Sequence, residues 1–227
     1  MNRINLRSVS LFAALSLTAV QLQAQSVEEM QKTAVQFLEV TQAADGSWTS
    51  PDAVGITSLV TTSLLMSGES ADNAVVKKGL DSIVASQQLT GGIHATASRF
   101  QNYETCIALL ALAEANKDGR YDTVIKKAEL FLRGLQWDEG EGIETTDGRF
   151  GGGGYDSKQR PDMSNTQFLV EALKKAGVAE DDPAMQKALV FVSRAQNLES
   201  KHNTLPFAGK VNDGGFIYTP AGDGESK

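Results

Sequence analysis

Cysteine is almost absent from this chain of 227 residues, and basic residues are in the minority. Cys106 stands alone, so no disulfide can form within the chain, and its apolar surroundings favour a small core residue. The 21 Lys and Arg residues face 28 Asp and Glu residues, which gives a net charge of −7. With no basic cluster to neutralise phosphates, nucleic acid is not an expected partner.

Long hydrophobic runs are also scarce, and the clearest one lies at the N-terminus. A basic start, M-N-R-I-N-L-R, precedes an apolar stretch and then a small residue at Ala24. This order is typical of a secretory signal peptide, predicted to span residues 1–24 and to export the chain to the periplasm or the medium. An N-terminal anchor is the alternative, although the stretch is short for a bilayer span. Residues 25–227 are then expected to form one domain with no transmembrane segment.

A glutamine-centred pattern recurs four times in the rest of the chain. A small residue in a helical stretch is followed eight residues later by Gln, then by one or two Gly and a large apolar residue. The small residues are Ala34, Gly79, Ala128 and Ala188, and the glutamines are Gln42, Gln87, Gln136 and Gln196. The large residues are assigned as Trp48, Ile93, Tyr155 and Phe216. A period of about 45 to 60 residues indicates a repeat architecture.

A threonine-led apolar segment follows each of the first three copies. Thr57, Thr105 and Thr166 open these segments, and a hydroxyl near a helix start can satisfy unpaired N–H groups. Gly or Asn stands eleven residues on, at Gly68, Asn116 and Gly177, as expected for a left-handed helix C-cap. The apolar residues at +2 and +7 are predicted to be buried: Leu59, Leu64, Ile107, Leu112, Phe168 and Leu173.

Charge separates the two kinds of helix. The threonine-led helices carry almost no charge, and helices that are apolar on nearly every side belong inside a protein. The helices of the glutamine-centred pattern, in which a Lys stands one or two residues before the small residue, carry charged residues at helical spacing and suit an outer layer. The sequence therefore predicts an all-α protein made of helical-hairpin repeats in two layers.

The stretch from Ala34 to Trp48 resembles the QW-type repeat of squalene and hopene cyclases, which protein prenyltransferase β subunits share. The resemblance covers residues 30–218 and implies an α/α toroid. It implies a structural role for Gln42 with Trp48, Gln136 with Tyr155, and Gln196 with Phe216, each tying an outer helix to the following turn. Gln87 departs from the pattern because Ile93 replaces the aromatic residue.

The same resemblance implies six helix pairs in a complete ring. The present chain supplies about three and a half repeats, because a fourth threonine-led helix would open near its last residue. We therefore expect about half a ring, with the chain truncated at its C-terminus. The last outer helix would then leave an apolar flank open at Leu189, Val190 and Val192, with Phe191 and Ala195 alongside, and would promote association.

The active-site motifs of the resembled family are missing. Glu104 and Cys106 match part of the prenyltransferase zinc site, but Asn165 stands where the resemblance places a histidine. Zinc needs at least three protein ligands, so no metal and no other cofactor is expected. No run resembling D-x-D-D, which supplies the acid in cyclases, occurs in the chain. Catalytic residues are therefore not assigned.

Polar residues at the starts of the inner helices form the candidate ligand-binding set: Tyr103, Glu104, Cys106, Asp162 and Asn165. In a toroid these starts converge over an apolar cavity, which is how many binding sites are built. Helix capping and first-turn acids are the alternative explanation. The resulting function is binding of, or catalysis on, an apolar isoprenoid-like molecule, and a non-catalytic exported scaffold that binds protein or polysaccharide is the alternative.

Overall fold

The computed structural model describes residues 26–222, which contain seven α-helices and two short 3-10 helices. The α-helices are α1 (Val27–Thr41), α2 (Val54–Met66), α3 (Ala74–Ala85), α4 (Gln101–Ala115), α5 (Asp122–Arg133), α6 (Met163–Lys175) and α7 (Pro183–Ala195). The 3-10 helices span Glu139–Glu141 and Pro220–Gly222. Within residues 26–222 there are isolated bridges but no strand, so the all-α prediction is confirmed. The predicted signal peptide lies outside the described residues.

The helices are arranged in two rows. An inner row consists of α2, α4 and α6, which lie side by side. In the outer row, α3 packs on α2 and α4, α5 packs on α4 and α6, and α7 packs on α6. The hydrophobic core lies between the two rows, and Val35 and Leu38 of α1 pack against it. Among residues 26–222, no helix is both long and apolar enough to cross a membrane.

Helix α2 satisfies two of its buried hydroxyls locally. The hydroxyls of Ser58 and Thr61 donate to the carbonyl oxygens of Val54 and Thr57, each at 2.8 Å, although both side chains are buried. A buried hydroxyl that donates to the carbonyl four residues earlier is no longer an unpaired polar group. The sequence of α2 can therefore include Ser and Thr and still lie inside the protein.

Four of the six predicted core residues are buried, and two are not. Leu64, Ile107, Leu112 and Leu173 have at most 1% of their surface exposed. Leu59 is 44% exposed and Phe168 is half-buried. The prediction is wrong at these two positions because both side chains line a cleft on the inner row.

The glutamine amides join consecutive repeats. Gln42 Nε2 donates to the carbonyl of Gly46 in its own turn at 3.0 Å and to that of Val75, at the start of α3, at 2.9 Å. Gln87 and Gln136 repeat this arrangement, and their second acceptors are Val124 O of α5 and Ala184 O of α7. The bond to Gly46 agrees with the role that the resemblance implies for Gln42, which is to tie its outer helix to the following turn. Each of these amides therefore ties one glycine turn to the next outer helix.

The first glycine of each turn lies against a lysine carbonyl of that next outer helix. A Cβ atom added to Gly46, Gly91 or Gly151 would overlap the carbonyl oxygen of Lys78, Lys127 or Lys187, respectively. Glycine at these positions allows close approach of the two backbones. The recurrence of Lys and Gly in the sequence thus marks the two sides of one contact.

The repeated threonines bind the turns through their hydroxyls, from inside the first or second turn of each helix. The N–H of Trp48 donates to Thr57 Oγ1 at 3.2 Å, and the N–H of Ile93 donates to Thr105 Oγ1 at 3.0 Å. The N-cap residues themselves are Ala53, Phe100 and Asp162. The hydroxyl therefore fastens the preceding turn to the inner helix and does not cap it.

Gly153 takes the place of the large residue in the third repeat. Its N–H donates to Thr166 Oγ1 at 3.0 Å, and it forms an isolated bridge with Gln136, as Ile93 does with Gln87. The assignment of Tyr155 to this position is wrong by two residues, because a glycine, not an aromatic residue, fits beside Leu169. In the fourth repeat Phe216 bridges Gln196, in agreement with the assignment.

The predicted helix ends are confirmed in two of three cases. Gly68 and Gly177 follow α2 and α6 with φ of +98° and +85°. The next N–H groups, of Glu69 and Val178, donate back to the last turn at 3.1 and 3.0 Å, as in a Schellman motif. Asn116 keeps a negative φ, and its side chain instead accepts the N–H of Tyr121 at 2.8 Å.

The loop between α5 and α6 covers much of the apolar side of α7: Val190 packs on Trp137, Ile143 and Phe150, and Phe191 lies on Gly152. The segment after α7 makes further contacts with it. Arg194, only 8% exposed, donates to the carbonyl oxygens of Thr145, Asp147 and His202. Thr219 Oγ1 donates to Pro161 O at 2.7 Å, which fixes the segment beside the start of α6. The expected open flank is therefore largely closed: Phe191 and Ala195 are fully buried, Val190 and Val192 are partly buried, and Leu189 is 48% exposed.

Candidate ligand-binding cleft

A cleft of about 470 Å³ opens on the inner row, between the first turns of α2, α4 and α6. Three of its lining residues, Gly55, Tyr103 and Ser164, stand two positions before the repeated threonine of their helices. Leu59 and Phe168, two positions after that threonine, line it as well. Equivalent positions in successive repeats thus face one space, because the inner helices lie side by side in the same orientation.

Aromatic rings form one side of the cleft. Tyr103 of α4 meets Phe168 of α6 edge to face, with ring centroids 5.1 Å apart. Tyr155, from the loop before α6, lies 5.1 Å from Phe100 and 6.4 Å from Tyr103, again in edge arrangements. Such contacts stabilise the orientation of the rings, which together present a large apolar surface. The cleft is therefore suited to an apolar molecule.

Among residues 26–222, Glu104 supplies the one carboxyl group that lines this cleft. It is 8% exposed, and its Oε2 accepts the N–H of Ala95 at 3.1 Å. Burial raises the pKa of Glu104 above its ordinary value, and the nearby Asp52 charge acts in the same direction. The hydrogen bond from Ala95 and the nearby Ser98 and His94 side chains act in the opposite direction but do not outweigh burial. A carboxyl group in an apolar cleft that holds its proton more tightly can donate a hydrogen bond to a ligand oxygen.

The structure separates the five candidate ligand-binding residues into two groups. Tyr103 and Glu104 line the cleft, whereas Cys106, Asp162 and Asn165 do not. Cys106 is fully buried, its thiol donates to Asn102 Oδ1 at 3.4 Å, and burial raises its pKa well above the ordinary value. Asp162 caps α6 by accepting the N–H of Asn165 at 2.9 Å and its Nδ2 at 2.8 Å. The capping interpretation therefore describes Asp162 and Asn165.

Sequence reasoning missed the apolar part of the cleft. Phe100 was not assigned a role, Tyr155 was assigned to the third turn, and Leu59 and Phe168 were expected to be buried in the core. The available signal was the register: the residues two before and two after each threonine share one helix face, since they are four apart. Within the described residues no group of three or more His, Cys, Asp or Glu side chains is placed to hold a metal ion.

The buried carboxyl of Glu104 leads to a pH-dependent prediction. A raised folded-state pKa means that the folded protein binds the proton more tightly than the unfolded chain. This contribution to stability is complete below the ordinary pKa of 4.5 and is lost as the pH rises through the folded pKa. We expect Glu104→Gln to gain stability relative to the wild type as the pH is raised from below 4.5 to neutrality, as measured by urea unfolding.

Glu144→Gln is the control, since Glu144 is an exposed loop carboxyl. The difference in unfolding free energy between Glu144→Gln and the wild type should change less over the same pH range than the difference between Glu104→Gln and the wild type. A Glu104→Gln difference that stays constant with pH would contradict the assignment of a raised pKa to this group.

The chain matches no protein-family model, and a search of curated proteins found no match.

Proposed function

We propose that the protein binds an apolar, isoprenoid-like molecule in the inner-row cleft. The observation that carries this proposal is the lining itself: four aromatic rings and Leu59 surround about 470 Å³, with the single carboxyl of Glu104 at one side. Binding pockets are commonly apolar spaces of this size with a few placed polar groups. A long hydrocarbon would cover the rings while a terminal oxygen accepts or donates a hydrogen bond at Glu104.

We further propose that the two helix rows are part of an α/α toroid like that of the squalene and hopene cyclases, whose repeats this chain resembles. We also propose that the chain is exported. The recurrent glutamine amide between turn and next outer helix supports the toroid, as the QW-type resemblance implies for these residues. The N-terminal sequence pattern supports export. In this proposal the cleft lies on the concave face of the ring.

Calorimetric titration with farnesol, compared with an unbranched saturated alcohol of equal carbon number, tests the binding proposal. We expect farnesol to bind, and Tyr103→Ala to weaken its affinity by about tenfold or more, because a buried aromatic contact of this kind is worth roughly 1.5–3 kcal/mol. Leu59→Arg should weaken it further by placing a charge in the cleft.

The matched control is Leu130→Ala, which truncates an apolar residue on α5 that is 56% exposed and lies outside the cleft. Its affinity should equal that of the wild type. Equal losses in the control and in Tyr103→Ala, or no binding of either alcohol by the wild type, would contradict the proposal.

The second candidate is a non-catalytic exported scaffold that binds another protein or a polysaccharide. The observation that favours it is the exposed apolar side of α1, where Val27 is 76% and Phe37 is 63% exposed. Absence of farnesol binding together with a stable folded state would favour this candidate.

A further inference from the structure

The outer helices α3, α5 and α7 each receive the glycine turn of the preceding repeat in the same way. The glutamine amide reaches the carbonyl four positions before the small residue, namely Val75, Val124 or Ala184. The turn glycine lies on the carbonyl of the lysine that directly precedes the small residue. In α5 and α7 a phenylalanine three positions after the small residue covers the second glycine of the turn.

Those phenylalanines fit their glycines closely. The ring of Phe131 would lie 2.7 Å from a Cβ added to Gly92, and the ring of Phe191 would lie 2.6 Å from one added to Gly152. At the first boundary the equivalent residues are Ser47 and Ser82, so no ring is present there. Thus glycine at the second turn position accompanies phenylalanine on the receiving helix.

Helix α1 carries the same receiving positions without a turn on them. Met30, Thr33, Ala34 and Phe37 occupy the register of Val124, Lys127, Ala128 and Phe131. In α5, Ala128 is fully buried and the Lys127 carbonyl lies under Gly91. By contrast, no residue of α1 is buried, and Phe37 is 63% exposed. Within residues 26–222, no glutamine amide reaches the Met30 carbonyl.

The receiving positions of α1 are exposed to solvent. The opposite flank of the helix, with Lys32 and Gln36, borders a groove shared with Ser67 and Glu69, at the loop that leads to α3. Val27, Met30, Ala34 and Phe37 follow one another three or four residues apart and form an exposed stripe on another face. This stripe is the head surface of the protein.

The last glycine turn shows the reverse situation. Gln196 Nε2 donates to Gly214 O at 3.1 Å, and this is its one hydrogen bond within residues 26–222. A Cβ added to Gly214 would have Gln196 Nε2, at 3.8 Å, as its nearest contact, whereas the other first glycines lie against a lysine carbonyl. Phe216 is 56% exposed. Gln196 with Gly214, Gly215 and Phe216 is the tail surface.

We propose that the tail surface of one copy of this chain docks on the head surface of a second copy, in the geometry that joins consecutive repeats within the chain. The unmatched second glycine, Gly215, corresponds to Gly92 and Gly152, and the unmatched ring, Phe37, corresponds to Phe131 and Phe191. The unused donor of Gln196 would reach Met30 O. The residue pairing favours a second copy over an unrelated partner, because both halves of the repeated contact are present in the same sequence.

A head-to-tail contact uses two different surfaces, so it leaves one head and one tail free in a dimer and extends unless the assembly closes. The head lies on the first outer helix and the tail follows the last one, at opposite ends of the rows. Association should therefore increase with protein concentration beyond the dimer, or stop at a closed ring.

Light scattering after gel filtration of two blocked variants tests the proposal. Phe37→Glu places a charge on the head, and Gly215→Leu fills the space for the ring on the tail. The wild type should associate and each variant alone should be monomeric. An equimolar mixture of the two should give a dimer with one copy of each, because the intact tail of the first variant meets the intact head of the second.

Leu130→Glu, which changes an exposed apolar residue elsewhere, should associate like the wild type. Thermal unfolding of each variant alone verifies that it is folded. A monomeric wild type, a mixture that stays monomeric, or a Gly215→Leu variant that still associates would each overturn the proposal; the last result would point to contact between two head surfaces.

Discussion

Replacing Gly151 by alanine should cost about 3 to 4 kcal/mol of unfolding free energy, the largest loss that we expect from adding one methyl group to this protein. Gly151 has a φ of +86°, and its added Cβ would overlap the carbonyl oxygen of Lys187. The left-handed conformation accounts for roughly 1 to 2 kcal/mol and the overlap with α7 for the rest. Because the contact is between two backbones, no side-chain rotation can relieve it.

Gly177→Ala is the matched control. Gly177 has nearly the same φ, +85°, but nothing lies within 4 Å of its added Cβ. Urea unfolding of both variants should show a loss of only about 1 to 2 kcal/mol for Gly177→Ala. Equal losses at the two sites would mean that the turn is free to move away from α7, contrary to the close contact of Gly151 with the Lys187 carbonyl.

Removal of the Gln136 amide should produce the second largest effect. Gln136 is 1% exposed and donates to Gly151 O and Ala184 O, both at 2.9 Å. Alanine would remove both bonds and leave acceptors buried without them, for a loss of about 2 to 4 kcal/mol. The variant should also separate the third turn from α7, since the amide joins the two.

Gln196 provides the comparison within the same chain. Its amide is only partly buried and has one acceptor, Gly214 O. In the monomer, Gln196→Ala should therefore lower the unfolding free energy by about 1 kcal/mol, which is the usual net contribution of one hydrogen bond. Urea unfolding at a concentration where the protein is monomeric distinguishes the two variants, and a loss at Gln196 as large as at Gln136 would contradict the importance of the second acceptor.

The repeated glutamines, glycines and threonines allowed the helix order and the link from each glutamine to its glycine turn to be predicted from the sequence. These residues act through backbone geometry, so their spacing carries the information directly. Tyr155 was misplaced because the third repeat contains a run of four glycines, Gly151 to Gly154, and an aromatic residue after it resembled Trp48. The hydrogen bond to Thr166 identifies Gly153 as the equivalent residue, and no sequence pattern states which glycine makes it.

The cleft was predicted only in its polar part. Tyr103 and Glu104 were identified because they begin an inner helix, but Leu59 and Phe168 look like ordinary core residues in the sequence. Ile107, at the equivalent position of α4, is indeed 1% exposed. Whether such a residue is buried depends on the neighbouring side chains, since α4 lies between two inner helices while α2 and α6 each adjoin one. That difference arises from the assembly of repeats and not from local sequence.

The glutamine amides also show where the chain can grow. Gln42 and Gln87 reach a glycine four residues ahead, whereas Gln136 and Gln196 reach the equivalent glycine across 15 and 18 residues. The same short bridge thus closes loops of very different length, and lengthening such a loop costs only about 0.6 kcal/mol per doubling. The interval between glutamine and glycine is therefore an insertion point at which foreign loops could be grafted, one per repeat, without disturbing either row of helices.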